Sequence, residues 1–245
     1  MQDSIFSILY QNNDGVKHVG VGFFVGRNGL FITAGHIFRL KENPPNNIEL
    51  DNFRAFLRTS RGEYIVEFKD LWYESYPIGY QNSPTYIDVC VGRIDFNNSI
   101  YLLLDRKSPH IGKNLTAYMY YNPHYEKNIG SNFNSSLLLR NIEFLSEELQ
   151  LLKNTAESIV NGENRIFNNC SVFRGIAKPT YSGSPIMDEN NLVKGILVGG
   201  SRSERTIVMI RSKYCSKMIQ FKTYYSFSPF EYIEAKYKQK LIEYS

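Results

Sequence analysis

The sequence predicts an all-β protein, a barrel or sandwich of many short strands. Three observations carry that expectation. Short apolar or alternating runs recur along the 245 residues, broken each time by Gly, Asn, Pro or Asp. Tyrosine (18) and phenylalanine (16) are abundant beside many Val and Ile, the residues that suit a pleated surface. "RNG" at 27–29 joins two apolar runs, and Asn-Gly is the strongest short signal for a hairpin.

In chain order, runs at 4–10, 17–26 and 30–34 read as strands, the last two forming the hairpin around Asn28 and Gly29. Runs at 53–59, 63–72 and 86–94 follow. Residues 95–113, "DFNNSIYLLLDRKSPHIGK", exchange the strand pattern for Asn, Asp, Ser, Pro and Gly and form the best boundary. Beyond it, 114–121, 136–144, 166–174, 192–199 and 205–211 read as strands, so each half holds about six. "LSEELQLLKNTAESIV" (145–160) has mixed helical spacing and reads as a short helix or helical insertion. Near the C-terminus Ser228 suits an N-cap, Pro229 the first helical position, and Glu231 a capping partner. Phe230, Ile233, Tyr237 and Leu241 then recur at helical spacing, which predicts a helix over 229–243. The expected units are residues 1–100 and 101–245.

Composition narrows the function. Hydrophobic residues make up 42%, enough for a sizeable core. The net charge of +4 comes without a Lys/Arg run; "EAKYKQK" (234–240) is also acidic and reads as a solvated helix face. No nucleic-acid partner is expected. No window approaches 18 apolar residues, so no membrane span is expected either. Cys90, Cys170 and Cys215 are odd in number and widely spaced, which predicts neither a disulfide framework nor a zinc site. Cys90 reads as a small buried hydrophobe. His110 and His124 lack a third ligand at matching spacing, so no metal or cofactor is expected. The N-terminus reads as a strand rather than a signal peptide, and the four N-x-S/T sequons as incidental. The expected compartment is a reducing cytoplasm.

Three residues carry the candidate chemistry. His36 in "TAGH" leaves the hairpin on a short turn, where most histidines are structural. His18, His110 and His124 lack such a setting and read as surface or loop residues. Asp88 heads the apolar run "IDVCVGRI", and Asp95 at its other end is the rival acid. Ser182 sits in "PTYSGSPIM" (179–187), which by itself is either a Gly-Ser-Pro turn or a nucleophile loop. It is not the G-x-S-x-G elbow, because Thr180 and Ser184 replace both glycines. Together the three fall in the order His, Asp, Ser at separations of 52 and 94 residues, two in the first half and one in the second.

This constellation resembles the trypsin/chymotrypsin-like serine peptidases over roughly residues 4–240. "GVGFFVGRNGLFITAGH" is similar to the family's strand pair leading to the histidine, "IDVCVGRI" to its acid-bearing strand, and "YSGSPIMDENNLVKGILVGGS" to its serine loop and following strand. The resemblance implies two six-stranded antiparallel β-barrels with a C-terminal α-helix and a site in the cleft between them. It implies Ser182 as nucleophile, His36 as general base and Asp88 as the group that orients the imidazole. The N–H groups of Thr180 and Ser182 would hold the oxyanion. Ile176 and Ala177 would line the pocket for the residue before the scissile bond, with Val198, Gly199 and Gly200 opposite; Ile176 reads as either the pocket base or a core residue. No acid lies in either segment, so an uncharged, apolar or medium-sized residue is expected there.

The sequence also departs from the family pattern. Thr180 replaces the usual glycine two before the nucleophile, Tyr181 the aspartate of secreted members, and Ser184 the second glycine after it. The Ile/Val-x-Gly-Gly start and the flanking disulfides are missing. The expectation is an intracellular regulated endopeptidase acting on protein or peptide substrates. Its oxyanion hole would form when substrate or an activating partner binds. The alternative expectation is a protease-fold module without turnover that binds or scaffolds proteins.

Overall fold

The computed structural model describes residues 1–38, 50–75, 88–124, 130–160 and 163–216. The helix expected over 229–243 lies outside the described residues. No helix among them is long and apolar enough to cross a membrane.

The first barrel is built from β1 (Ile5–Asn12), β2 (Gly15–Phe24), β3 (Leu30–Thr33), β4 (Phe53–Thr59), β5 (Gly62–Ser75) and β6 (Asp88–Ile94). All pairings are antiparallel, and the order β1-β2-β3-β6-β5-β4 closes on itself. The Asn28–Gly29 turn works as expected, with both residues at positive φ, 57° and 73°. The interior is aromatic: Phe6 packs on Phe24 and Phe31 at 5.3 and 5.4 Å between ring centres, and Phe31 meets Phe68 edge-on at 5.4 Å. Edge-to-face contact suits the ring quadrupoles and fills the barrel without polar atoms. His18 departs from its expected surface position. It is buried on β2, its Nε2 lies 2.7 Å from the Gly20 carbonyl, and burial pushes its pKa down to about 4.

The connection through β7 (Leu103–Leu104) leads to β8 (Asn114–Tyr121). Asn98 fastens its start: the side chain accepts from Gly29 N–H at 2.8 Å and donates to the Gly26 and Ile100 carbonyls. After a short helix α1 (Ser136–Arg140) come β9 (Glu143–Lys153), β10 (Ala156–Val160), β11 (Glu163–Phe167) and β12 (Cys170–Arg174). Next are β13 (Pro185–Met187), β14 (Leu192–Ser201) and β15 (Thr206–Arg211), and residues 212–216 are helical. The ring β13-β8-β9-β12-β15-β14 closes because β13 pairs with both β8 and β14; β7 adds to β14 as a parallel edge strand. β10 and β11 form a separate hairpin.

Two expectations are corrected here. The expected strand 136–144 begins as α1, and the helical reading of 145–160 gives way to β9 and β10. Along β9 the buried Leu149 and Leu151 alternate with exposed Glu148 and Gln150, a period of two. Leu and Glu are good helix formers, but pairing with β8 over the whole of Asn114–Tyr121 outweighs that local preference.

Candidate active site

His36 lies in a 3-10 turn, Gly35–Phe38, directly after β3. The neighbouring Ile37 and Phe38 are buried and anchor the turn, leaving the imidazole with 42% of its surface exposed at the cleft. Asp88, the first residue of β6, is fully buried. It accepts the His36 backbone N–H on Oδ1 at 2.7 Å and the His36 Nδ1–H on Oδ2 at 2.6 Å. Both carboxylate oxygens therefore hold one residue, in backbone and ring. With Nδ1 as donor, Nε2 is the acceptor, and the Ser182 hydroxyl lies 2.9 Å from it. Burial works against the imidazolium, but the hydrogen bond and charge of Asp88 outweigh it and raise the His36 pKa above 6.5. Asp95, the rival acid, sits at the other end of β6 in an exposed ion pair with Lys69 at 2.7 Å.

Ser182 comes from the second barrel and is held by backbone bonds on both sides. Its carbonyl accepts Val21 N–H of the first barrel at 2.9 Å, and Gly183 N–H donates to Leu197 at 2.7 Å. Gly183 has φ +87°, and a Cβ there would lie 1.9 Å from the Val21 carbonyl oxygen and 2.1 Å from Thr33 Oγ1. Only glycine lets β2 and β3 approach the nucleophile loop this closely.

The segment before Ser182 winds into a single 3-10 turn, Pro179–Tyr181, with Tyr181 N–H donating to the Lys178 carbonyl at 3.0 Å. Ser182 follows the turn at φ −53° and ψ 135°, and its N–H is one of the two donors expected to face an oxyanion. Thr180 is buried, and its Oγ1 has no hydrogen-bond partner. Lys178 and Tyr121 escaped sequence reasoning. Lys178 Nζ lies 4.2 Å from the centre of the Tyr121 ring and 5.4 Å from that of Tyr181, while the two tyrosine rings meet edge-on at 5.9 Å. The only hint in the sequence is a lysine four residues before the serine.

Of the expected substrate-binding residues, Val198, Gly199 and Gly200 lie on β14, with Gly199 paired to Val208 and Gly200 to Ile207 of β15. Ala177 faces Gly200 so closely that a Cβ on Gly200 would lie 2.7 Å from Ala177 Cβ. Ile176 is 42% exposed, so it is not a core residue. His110 and His124 are exposed, and among the described residues no group of three His, Cys, Asp or Glu could hold a metal ion. Cys90, Cys170 and Cys215 are buried thiols.

No family model matches the chain, and no curated protein matches it in sequence. Solved structures do match. The mouse serine protease neuropsin aligns with TM-score 0.60 at 12% identity, over 91% of this chain and 95% of its own. The chain has the chymotrypsin fold. The MamO protease domain of Magnetospirillum magneticum aligns with TM-score 0.59 at 10% identity, over 89% and 96% of the two chains. The active form of the Rv3671c protease from M. tuberculosis aligns with TM-score 0.53 at 16% identity, over 86% and 76%. An inactive form of that protease is also similar, with TM-score 0.55. That inactive form carries a serine-to-alanine substitution, so similarity of the whole fold does not distinguish an active from an inactive chymotrypsin-fold chain.

Proposed function

We propose that this chain is a serine endopeptidase that cleaves protein or peptide substrates through His36, Asp88 and Ser182. The observation that carries the reading is the unbroken relay Asp88–His36–Ser182, with contacts of 2.6 and 2.9 Å drawn from both barrels. Ser182 Oγ attacks the substrate carbonyl as His36 Nε2 takes its proton. The same proton passes to the leaving amine, which departs to give the acyl-enzyme. Water then attacks the ester, and His36 serves again as base and then as acid. Asp88 fixes the tautomer and stabilises the imidazolium between steps.

The 3-10 turn at Pro179–Tyr181 supports the further reading that this protease is regulated. Thr180 N–H and Ser182 N–H form the oxyanion hole once the turn unwinds, driven by substrate or an activating partner. One missing donor costs roughly 100- to 1000-fold in rate, so this single turn is enough to hold the enzyme at rest. The proposed setting is the cytoplasm, acting on few protein targets; the three buried thiols fit a reducing compartment.

The same turn also favours the second reading, a protease-fold module without turnover that binds or scaffolds other proteins. Labelling with a fluorophosphonate separates the two. The endopeptidase reading expects wild type to be labelled and Ser182→Ala and His36→Ala not. A wild type that stays unlabelled across peptide substrates and cell extract as a source of activators gives the module reading the case.

A further inference from the structure

Residues 100–113 cross from the first barrel onto the second and take no part in the relay. Leu102 N–H donates to the Phe24 carbonyl at the end of β2 at 2.9 Å, and β7 then runs parallel to the start of β14. The remainder is fastened strand by strand. Asp105 N–H donates to the Val193 carbonyl of β14 at 2.9 Å, and Ser108 Oγ accepts from Arg211 of β15 at 3.0 Å. Asn154, just after β9, donates to the Pro109 carbonyl at 3.2 Å, and Gly112 N–H donates to Leu151 of β9 at 3.3 Å. A connection tied along its length is a platform that holds its outward side chains in place.

Those side chains are of two kinds. Of the nine large apolar side chains exposed among the described residues, four fall here: Ile100, Tyr101, Leu103 and Ile111. Leu103 and Ile111 have 58% and 66% of their surface in solvent. Single apolar residues are ordinary on a surface, but a group of them marks a contact. Among them stand Arg106, Lys107, His110 and Lys113, all exposed. Lys213, also exposed, closely follows the Arg211 that ties Ser108. Of the nearby acids, Asp105 and Asp188 turn inward onto the buried Lys194, and Glu189 lies 3.8 Å from Lys113 in an exposed pair. The outward charge is therefore positive.

This combination selects the partner. Cations among exposed apolar side chains match an anionic bilayer, where Lys and Arg meet headgroups and apolar tips enter the layer beneath. A nucleic acid would call for stacked aromatic platforms, and the stretch holds one tyrosine. The face also stands well away from the relay. β7 pairs with Leu192 and Val193 at one end of β14, and Gly199 lies toward the other, about 20 Å along the strand.

We infer that residues 100–113 form a docking surface for an anionic lipid bilayer, with Arg106, Lys107 and Lys113 at the headgroups and Leu103 and Ile111 inserted below them. Such a contact lies on the membrane surface and needs no span. It suits the cytoplasmic leaflet, which is the anionic one. The separation along β14 leaves the Ser182 cleft free while the chain is docked. The inference goes beyond the endopeptidase reading and does not depend on turnover.

The test uses the full chain. It is floated with vesicles of phosphatidylcholine carrying about 30% phosphatidylserine, and with vesicles of phosphatidylcholine alone. Binding to the anionic vesicles only, weakened by added salt, is expected. One cation near the surface is worth roughly 5-fold, so Arg106→Gln with Lys107→Gln should weaken binding roughly 30-fold. Leu103→Ser with Ile111→Ser should weaken it about 10-fold or more and leave the salt dependence in place. Near-ultraviolet circular dichroism of both pairs should match wild type. A photo-crosslinking p-benzoylphenylalanine in place of Ile111 reads the occupant directly, and capture of lipid from anionic vesicles is expected. If either pair fails to fold, the salt dependence and the crosslink decide alone. Crosslinks to residues 217–245 or to a second copy that vesicles do not diminish overturn the inference, because this chain then covers the face itself. Binding to a single-stranded oligonucleotide but not to vesicles overturns it too, as does vesicle binding that neither folded pair weakens. A chain that docks but is never labelled by fluorophosphonate loses the endopeptidase reading and keeps this one. A labelled chain that ignores anionic vesicles does the reverse.

Discussion

At the scale of single residues, two aspartates on one strand have opposite fates. Asp88 and Asp95 bracket β6, and the sequence leaves them as rivals. Burial separates them: Asp88 is sealed behind His36 with both oxygens engaged, while Asp95 pairs with Lys69 in solvent. The pairing sets a pH dependence. Asp88 favours protonated His36, so the His36 pKa stands above 6.5. The neutral imidazole is the proposed base, and activity is therefore lost as pH falls through that raised value. The sign for stability is opposite: the ion pair stabilises the fold below the unfolded pKa and fades as pH rises through the folded one. A profile of kcat/KM against pH should show an acid limb with an apparent pKa above 6.5. In Asp88→Asn the limb should move lower, and kcat should fall roughly 10⁴-fold. An acid limb that stays in place in Asp88→Asn would show that Asp88 does not tune His36.

At the scale of elements, the turn Pro179–Tyr181 decides what the site can do. Thr180 sits there in a right-handed helical turn. Its side chain disfavours the backbone rearrangement that would aim the preceding peptide's N–H at an oxyanion, because a non-glycine residue pays about 1–2 kcal/mol to enter left-handed space. Thr180→Gly lifts that cost and should raise kcat by about 5- to 30-fold with little change in KM. A fall in kcat would mean that the threonine itself assists the reaction. The Lys178–Tyr121–Tyr181 cluster packs on the same turn from the barrel side. The sequence marked Thr180 as unusual, because one residue type breaks a motif. It did not show the turn, since so short a loop carries no periodicity to tell a 3-10 turn from an extended path. The helical reading of 145–160 fails for a related reason: Leu and Glu satisfy helical and strand spacing alike over so short a run, and pairing with β8 and β11 makes strands of it.

At the scale of the whole molecule, function depends on keeping two barrels in register to within a hydrogen bond. The link into the second barrel is held by a buried cation. Lys194 on β14 pairs with Asp105, just after β7, and with Asp188 at 3.2 Å. Burial opposes all three charges, and the hydrogen bonds outweigh it, so both aspartates sit below 3.8 and the lysine above 10.5. This contribution is therefore lost as pH falls through the lowered aspartate values or rises through the raised lysine value. Lys194→Ala leaves two enclosed carboxylates without their cation and should cost about 3–5 kcal/mol, a drop in Tm of roughly 6–20 °C by calorimetry at neutral pH. An unchanged Tm would show that β7 and Val193 hold the connection through their backbone bonds alone.

The sequence by itself determined the all-β class, the hairpin at Asn28–Gly29, and the histidine and serine that the relay brings together. Those features follow from local chemistry: strand periodicity, turn residues, and rare side chains in a fixed order. The tertiary structure alone decided which aspartate faces His36, that Ala177 stands against Gly200, and that residues 143–153 pair with β8 as a strand. Each of these depends on distances between segments far apart in the chain. Barrel closure and inter-barrel packing set such distances, and no local pattern encodes them.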